Sequence, residues 1–123
     1  MNYGLIFAVF LWPSLCLAQD VASAPGGTVR WLDKISGITK DIEMTVGETQ
    51  AHGRLAITLD DCRYPVNDPA SNAFAHLTIR DSLQEQPVFM GWMIATSPAL
   101  SSMDHARYDV WVLRCKTPAA VAE

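Results

Sequence analysis

Ile38-Thr39-Lys40-Asp41-Ile42-Glu43-Met44-Thr45-Val46 decides the fold class. Ile38, Ile42, Met44 and Val46, with the stem of Lys40, alternate with Thr39, Asp41, Glu43 and Thr45. Successive side chains of an extended chain point to opposite sides, so a strict period of two marks a strand with one buried and one solvated face. Ser36-Gly37 supplies a turn signal before this run, and Gly47 ends it.

The same period spreads outward from there. Thr28 to Ile35 places Val29 and Trp31 on one face, and Arg54 to Cys62 places Leu55, Ile57 and Leu59 on one face. Ala73, Ala75, Leu77 and Ile79 alternate with Phe74, His76 and Thr78. Between these runs, Tyr64-Pro65 through Asp68-Pro69 reads as a loop, because proline cannot donate to a ladder. Val88 to Ala95 and Tyr108 to Cys115 are different, being apolar on both faces. A strand of that kind is either covered on both sides or leaves an apolar face for a partner. Ser97-Pro98 begins a loop in which Ser101 or Ser102 is placed to cap a short helical turn. These six runs predict an all-β fold, a small antiparallel sandwich or partly open barrel over residues 29–116. A small, polar lead-in over 19–28, with Pro25-Gly26-Gly27, precedes it, and an Ala-rich tail over 117–123 is expected to fray.

The first eighteen residues read differently. Leu5 to Leu17 is an almost unbroken apolar run of thirteen residues, shorter than the about 20 that a membrane-crossing helix needs. It suits the apolar core of a secretory signal peptide, a helix followed by the breaker Pro13. Cys16 and Ala18 put small residues three and one before a cut, so cleavage is expected after Ala18, with an uncleaved anchor as the alternative. Removal of residues 1–18 leaves 105 of 123, and two of the three cysteines, Cys62 and Cys115. In an oxidising compartment these two pair most simply with each other. The expected location is the periplasm, with no membrane span remaining after cleavage. The net charge of −4 lies wholly beyond residue 18, and the arginines are scattered among acidic residues. No basic stripe is present to neutralise a phosphate backbone, so nucleic acid is not an expected partner.

Leu32-Asp33-Lys34, Cys62-Arg63-Tyr64-Pro65, Phe89 to Leu100, Asp104-His105 and Tyr108 to Cys115 resemble the family catalogued as domain of unknown function 2155, small exported alphaproteobacterial proteins. Ala106 stands where a proline is expected after the histidine. The resemblance implies an envelope protein with paired cysteines and carries over no catalytic residue.

Function is less legible. Ser97, His105 and Asp109 are the residue types of a nucleophilic triad, yet no Gly-x-Ser-x-Gly elbow surrounds Ser97. His52, His76 and His105 lack local ligand pairs, and Asp60-Asp61 lacks a looped calcium pattern, so no metal or other cofactor is expected. Trp31, Trp92 and Trp111 with Met90 and Met93 form the most distinctive set, Trp111 being assigned to the core. A non-catalytic interaction module is the expected role, with Trp92, Met93, Ser97, His105 and Tyr108 as its surface and another envelope protein as its partner. Peptidoglycan bound through Trp92 and Tyr108 is the alternative, followed by a small hydrolase using Ser97 and His105.

Overall fold

The computed structural model describes residues 2–14 and 20–118. Among these described residues, eight strands form two antiparallel sheets. They are β1 (Val21–Ser23), β2 (Gly26–Asp33), β3 (Thr39–Thr45), β4 (Thr49–His52), β5 (Leu55–Pro65), β6 (Phe74–Asp81), β7 (Phe89–Ile94) and β8 (Tyr108–Cys115). The larger sheet runs β1-β5-β6-β7, with β4 on the same edge of β5 as β1. The smaller runs β3-β2-β8. The two pack face to face as a sandwich, and the described strands close no barrel.

The alternation seen in the sequence sets the core. Val29 and Trp31 of β2, Ile42 and Met44 of β3, Leu55, Ile57 and Leu59 of β5, and Ala75, Leu77 and Ile79 of β6 all point into the gap and are buried. Both of the doubly apolar strands, β7 and β8, are edges of their sheets. Phe89, Gly91 and Met93 lie on the inner side of β7, so Met90, Trp92 and Ile94 lie on the outer side.

A disulfide joins the sheets: Cys62 of β5 is bonded to Cys115 of β8 at 2.05 Å. Continuing the alternation of Leu55, Ile57 and Leu59 would turn Cys62 outward. A bulge prevents this, because Leu59 pairs with Leu77 and Asp61 with His76, leaving Asp60 as the extra residue. A second bulge does the same in β8. Val112 pairs with Val29 and Arg114 with Thr28, so Leu113 is extra and Cys115 turns inward instead of Arg114. Two irregularities on opposite sheets therefore bring two sulfurs face to face. Closing a 53-residue separation stabilises the fold by about 4 kcal/mol on chain-entropy grounds.

Several expectations need correction. The lead-in over 19–28 carries β1 and the start of β2, both in ladders with β5, β3 and β8. Tyr64 and Pro65, read as loop, extend β5, where Pro65 faces Val21 beyond the last β6 pair. Proline is tolerated there because no ladder partner needs its missing N–H. The helical turn is a 3-10 turn at Pro98–Leu100, begun by Ser97 without a side-chain cap, not by Ser101 or Ser102. Residues 2–14 carry no helix, and Leu5 to Trp12 pack against nothing that buries them. A short isolated apolar helix has little to hold it in water. No helix among the described residues is long and apolar enough to cross a membrane. The expected cut after Ala18, with Cys16, and residues 119–123 of the tail lie outside the described residues, although Thr117 is buried.

Gly27 is where β2 passes closest to the disulfide. A Cβ there would stand 2.9 Å from both Cys62 Sγ and the Arg114 carbonyl oxygen. Gly27→Ala is therefore expected to destabilise the fold by about 1–3 kcal/mol, read from urea denaturation of the oxidised protein. An unchanged midpoint would show that the passage has slack.

Candidate functional site

Two polar clusters occupy opposite parts of the sandwich, and they differ in what they can do. The first lies inside, at the end away from the disulfide. His105 Nδ1 accepts the backbone N–H bonds of Arg107 and Tyr108 at 3.0 and 3.1 Å, so the ring hydrogen sits on Nε2. Nε2 donates to Asp81 Oδ2 at 2.8 Å, with both side chains buried. Arg54 also donates to Asp81 Oδ2, at 3.2 Å, and the Leu83 N–H donates to Oδ1 at 3.0 Å. Tyr108 is buried between the guanidinium groups of Arg54 and Arg107, 5.7 and 5.2 Å from its ring centre. Arg107 reaches on to Asp33, and Lys34 Nζ donates to the His105 carbonyl at 2.6 Å. This network pins the segment before β8 to both sheets.

It also rules on the triad. Both nitrogens of His105 are engaged, and none is left to take a proton from a Ser97 hydroxyl. The carboxylate partner is Asp81, while Asp109 accepts the N–H of its own neighbour Val110. Ser97, His105 and Asp109 form no catalytic unit, which removes the geometric basis of the hydrolase reading.

The second cluster lies on the outer face of the larger sheet and is built by the β5 bulge. Asp60, displaced from the ladder, accepts hydrogen bonds from Thr78 Oγ1 at 2.7 Å and His76 Nδ1 at 2.8 Å. The His76 ring meets Trp92 edge-on, with centroids 5.2 Å apart and an interplanar angle of 83°. Arg63 lies over the indole, 5.0 Å from its centre, and its Nε donates to Asp61 at 2.9 Å. Trp92 is thus held in place by a cation and an aromatic edge while remaining 40 % exposed. Met90, on the same side of β7, is 62 % exposed, and Phe74 and Ile94 add two half-buried apolar neighbours.

The expected surface is therefore divided. Trp92 is exposed and Ser97 half-buried, whereas Met93, His105 and Tyr108 are buried. Trp92 and Met93 are consecutive in a strand and necessarily face opposite sides. With Tyr108 inside, the Trp92–Tyr108 pair expected for sugar stacking does not exist on the surface. Of the other tryptophans, Trp31 is core and Trp111 is partly buried on the outer side of β8, opposite Arg30. Arg63 and His76 have no place in the expected surface, and Met90 enters only with the tryptophans, because the bulge that sets Asp60 beside His76 is invisible to a period-two reading. The three histidines lie apart: His76 outside, His105 inside and His52 against Trp31 at 6.2 Å. Among the described residues no group of three or more His, Cys, Asp or Glu side chains is placed to hold a metal.

Residues 27–115 match the family described as "Uncharacterized protein conserved in bacteria (DUF2155)". The chain belongs to this family. A relative in sequence, "Uncharacterized protein RP359" of Rickettsia prowazekii (strain Madrid E), is 27 % identical over 92 residues, covering 72 % of this chain and 59 % of that protein. No solved structure matches. The DUF2155 span contains both bulges, both bonded cysteines and all residues of the two clusters.

The Asp81 carboxyl is held down to about 2, first by the Leu83 N–H, then by His105 and Arg54, against the opposing pull of desolvation. In the unfolded chain the same group titrates near 3.8. As pH falls, the unfolded state takes up the proton first, so this contribution is complete above about pH 4 and is lost progressively toward pH 2. The denaturation midpoint is expected to drop steeply across that window, and less steeply in Asp81→Asn. Parallel acid limbs in the two proteins would contradict the assignment.

Proposed function

We propose that this chain is an exported, non-catalytic interaction module of the bacterial envelope that docks another envelope protein through the outer face of β6 and β7. The observation that carries the reading is Trp92, exposed yet immobilised by Arg63 and His76 beside the exposed Met90. Tryptophan and arginine dominate interface energetics, and an indole that is already ordered loses little entropy on binding. A free-standing apolar strip on an outer sheet face has no role in the chain's own core.

Export is supported by two features. The apolar segment Leu5 to Trp12 contributes nothing to the packed core, as expected of a removable leader. The Cys62–Cys115 bond is compatible with an oxidising compartment such as the periplasm.

The test places a photo-crosslinking amino acid at position 92 in the living cell, with position 43 on the outer side of β3 as control. A discrete protein adduct at 92, absent at 43, is expected. Binding of the purified adduct partner should weaken at least about tenfold in Trp92→Ala. No adduct, or an affinity unmoved by Trp92→Ala, overturns the reading. Retention of the protein on purified sacculi through Trp92, without a protein adduct, would transfer the strip to a glycan.

A further inference from the structure

We infer that the open edge of β7 pairs with the same edge of a second copy, joining two five-stranded sheets across a two-fold axis at Gly91. This goes beyond the outer-face reading, since it uses the backbone edge and leaves the outer side chains presented.

The edges of the sandwich are not alike. An unpaired strand edge invites another strand, and proteins guard such edges with charge, proline or short strands. The free side of β3 carries Lys40, Asp41 and Glu43, and that of β8 carries Asp109 and Arg114. The far edge of β5 is occupied by the short β1 and β4. Among the described edge strands, β1 and β4 are only three and four residues long, and of the longer ones only β7, Phe89-Met90-Gly91-Trp92-Met93-Ile94, carries neither charge nor proline.

Its hydrogen bonds point the right way. Ala95 N–H donates to the Ala73 carbonyl, and β6–β7 pairing keeps that register from Phe74↔Ile94 to Ile79↔Phe89. Antiparallel ladders alternate, so Phe89, Gly91 and Met93 bond to β6 while the N–H and C=O of Met90 and Trp92 face away. Among the described residues no hydrogen bond reaches those four groups.

The edge is also complementary to itself. With the axis at Gly91, Met90 lies opposite Trp92 of the second copy and Trp92 opposite its Met90. Each such pair exchanges two backbone hydrogen bonds and sets a thioether against an indole. The flanking pair, Val88 with Ile94, is apolar as well. No like charges meet along the seam, although the chain carries −4 overall. Gly91 itself has no internal requirement for glycine: its φ is not positive, and a Cβ would meet only the Phe89 ring, at 3.7 Å. At the axis two copies approach to about 4.5 Å between Cα atoms, where a missing side chain eases the fit.

The test uses the protein as the cell produces it, purified from cells expressing the full chain. Sedimentation from micromolar to millimolar protein is expected to show the mass rising from one chain to two and no further. Amide exchange at Met90 and Trp92 should slow in step, while Leu83 in the preceding loop should not. Met90→Pro removes one outward N–H per copy without touching the bonds to β6, and is expected to remain at the mass of one chain. A one-chain mass throughout, assembly beyond two, two chains with fast Met90 and Trp92 amides, or two chains retained in a folded Met90→Pro each overturns the inference. If Met90→Pro fails to fold, the exchange measurement on the unaltered chain decides. At position 92 an adduct to a second copy of this chain reports the seam and an adduct to a different protein reports the outer face, so loss of the dimer leaves the outer-face reading standing.

Discussion

The Cys62–Cys115 bond is the constraint on which the rest of this structure depends. It is the covalent tie between the two sheets, and it exists because each contributing strand breaks its own alternation. The extra residue in β5, Asp60, turns Cys62 toward the gap, and the extra residue in β8, Leu113, does the same for Cys115. A bulge ordinarily costs a ladder bond and local regularity. Here the first one yields two things at once, since the carboxylate it displaces becomes the acceptor for His76 and Thr78 beside Trp92. The interior tie and the outer cluster therefore share a single backbone feature.

The opposite end of the sandwich is closed by charge instead of sulfur. Asp81, His105, Arg54, Asp33, Arg107 and Lys34 bind the segment before β8 to both sheets around the buried Tyr108 ring. Every polar atom of the His105 ring is committed to that structural task, so the histidine with the most elaborate surroundings is the one least able to act on a substrate. His76, with one nitrogen on Asp60 and an edge on Trp92, is built into a surface instead. Position, more than residue type, separates the two histidines.

Period two made the sandwich legible, because β3 and β6, β2 from Val29 onward and β5 up to Leu59 each alternate between a buried and a more exposed face. The three-residue β1 and the polar β4, Thr-Gln-Ala-His, are too short and too hydrophilic to show a pattern; they are strands because β5 offers them an edge. The bulges were not legible either, since a single inserted residue looks like an end of alternation. In β7 and β8 both faces are apolar, and composition could not say which turns inward. The expectation of Met93 and Tyr108 on the surface with Trp92 fails for that reason, since packing puts both inside. The pairing of Cys62 with Cys115 was legible because these are the two cysteines beyond the apolar segment Leu5 to Leu17, and they pair most simply with each other.

The most direct measurement is alkylation of the native protein without reduction, followed by mass spectrometry of its peptides. The expected result is a linked pair of peptides containing Cys62 and Cys115, with neither sulfur labelled. Alkyl groups on both would mean that the bulged strands do not bring the sulfurs together, and the account of the interior and of the outer cluster would fall with them.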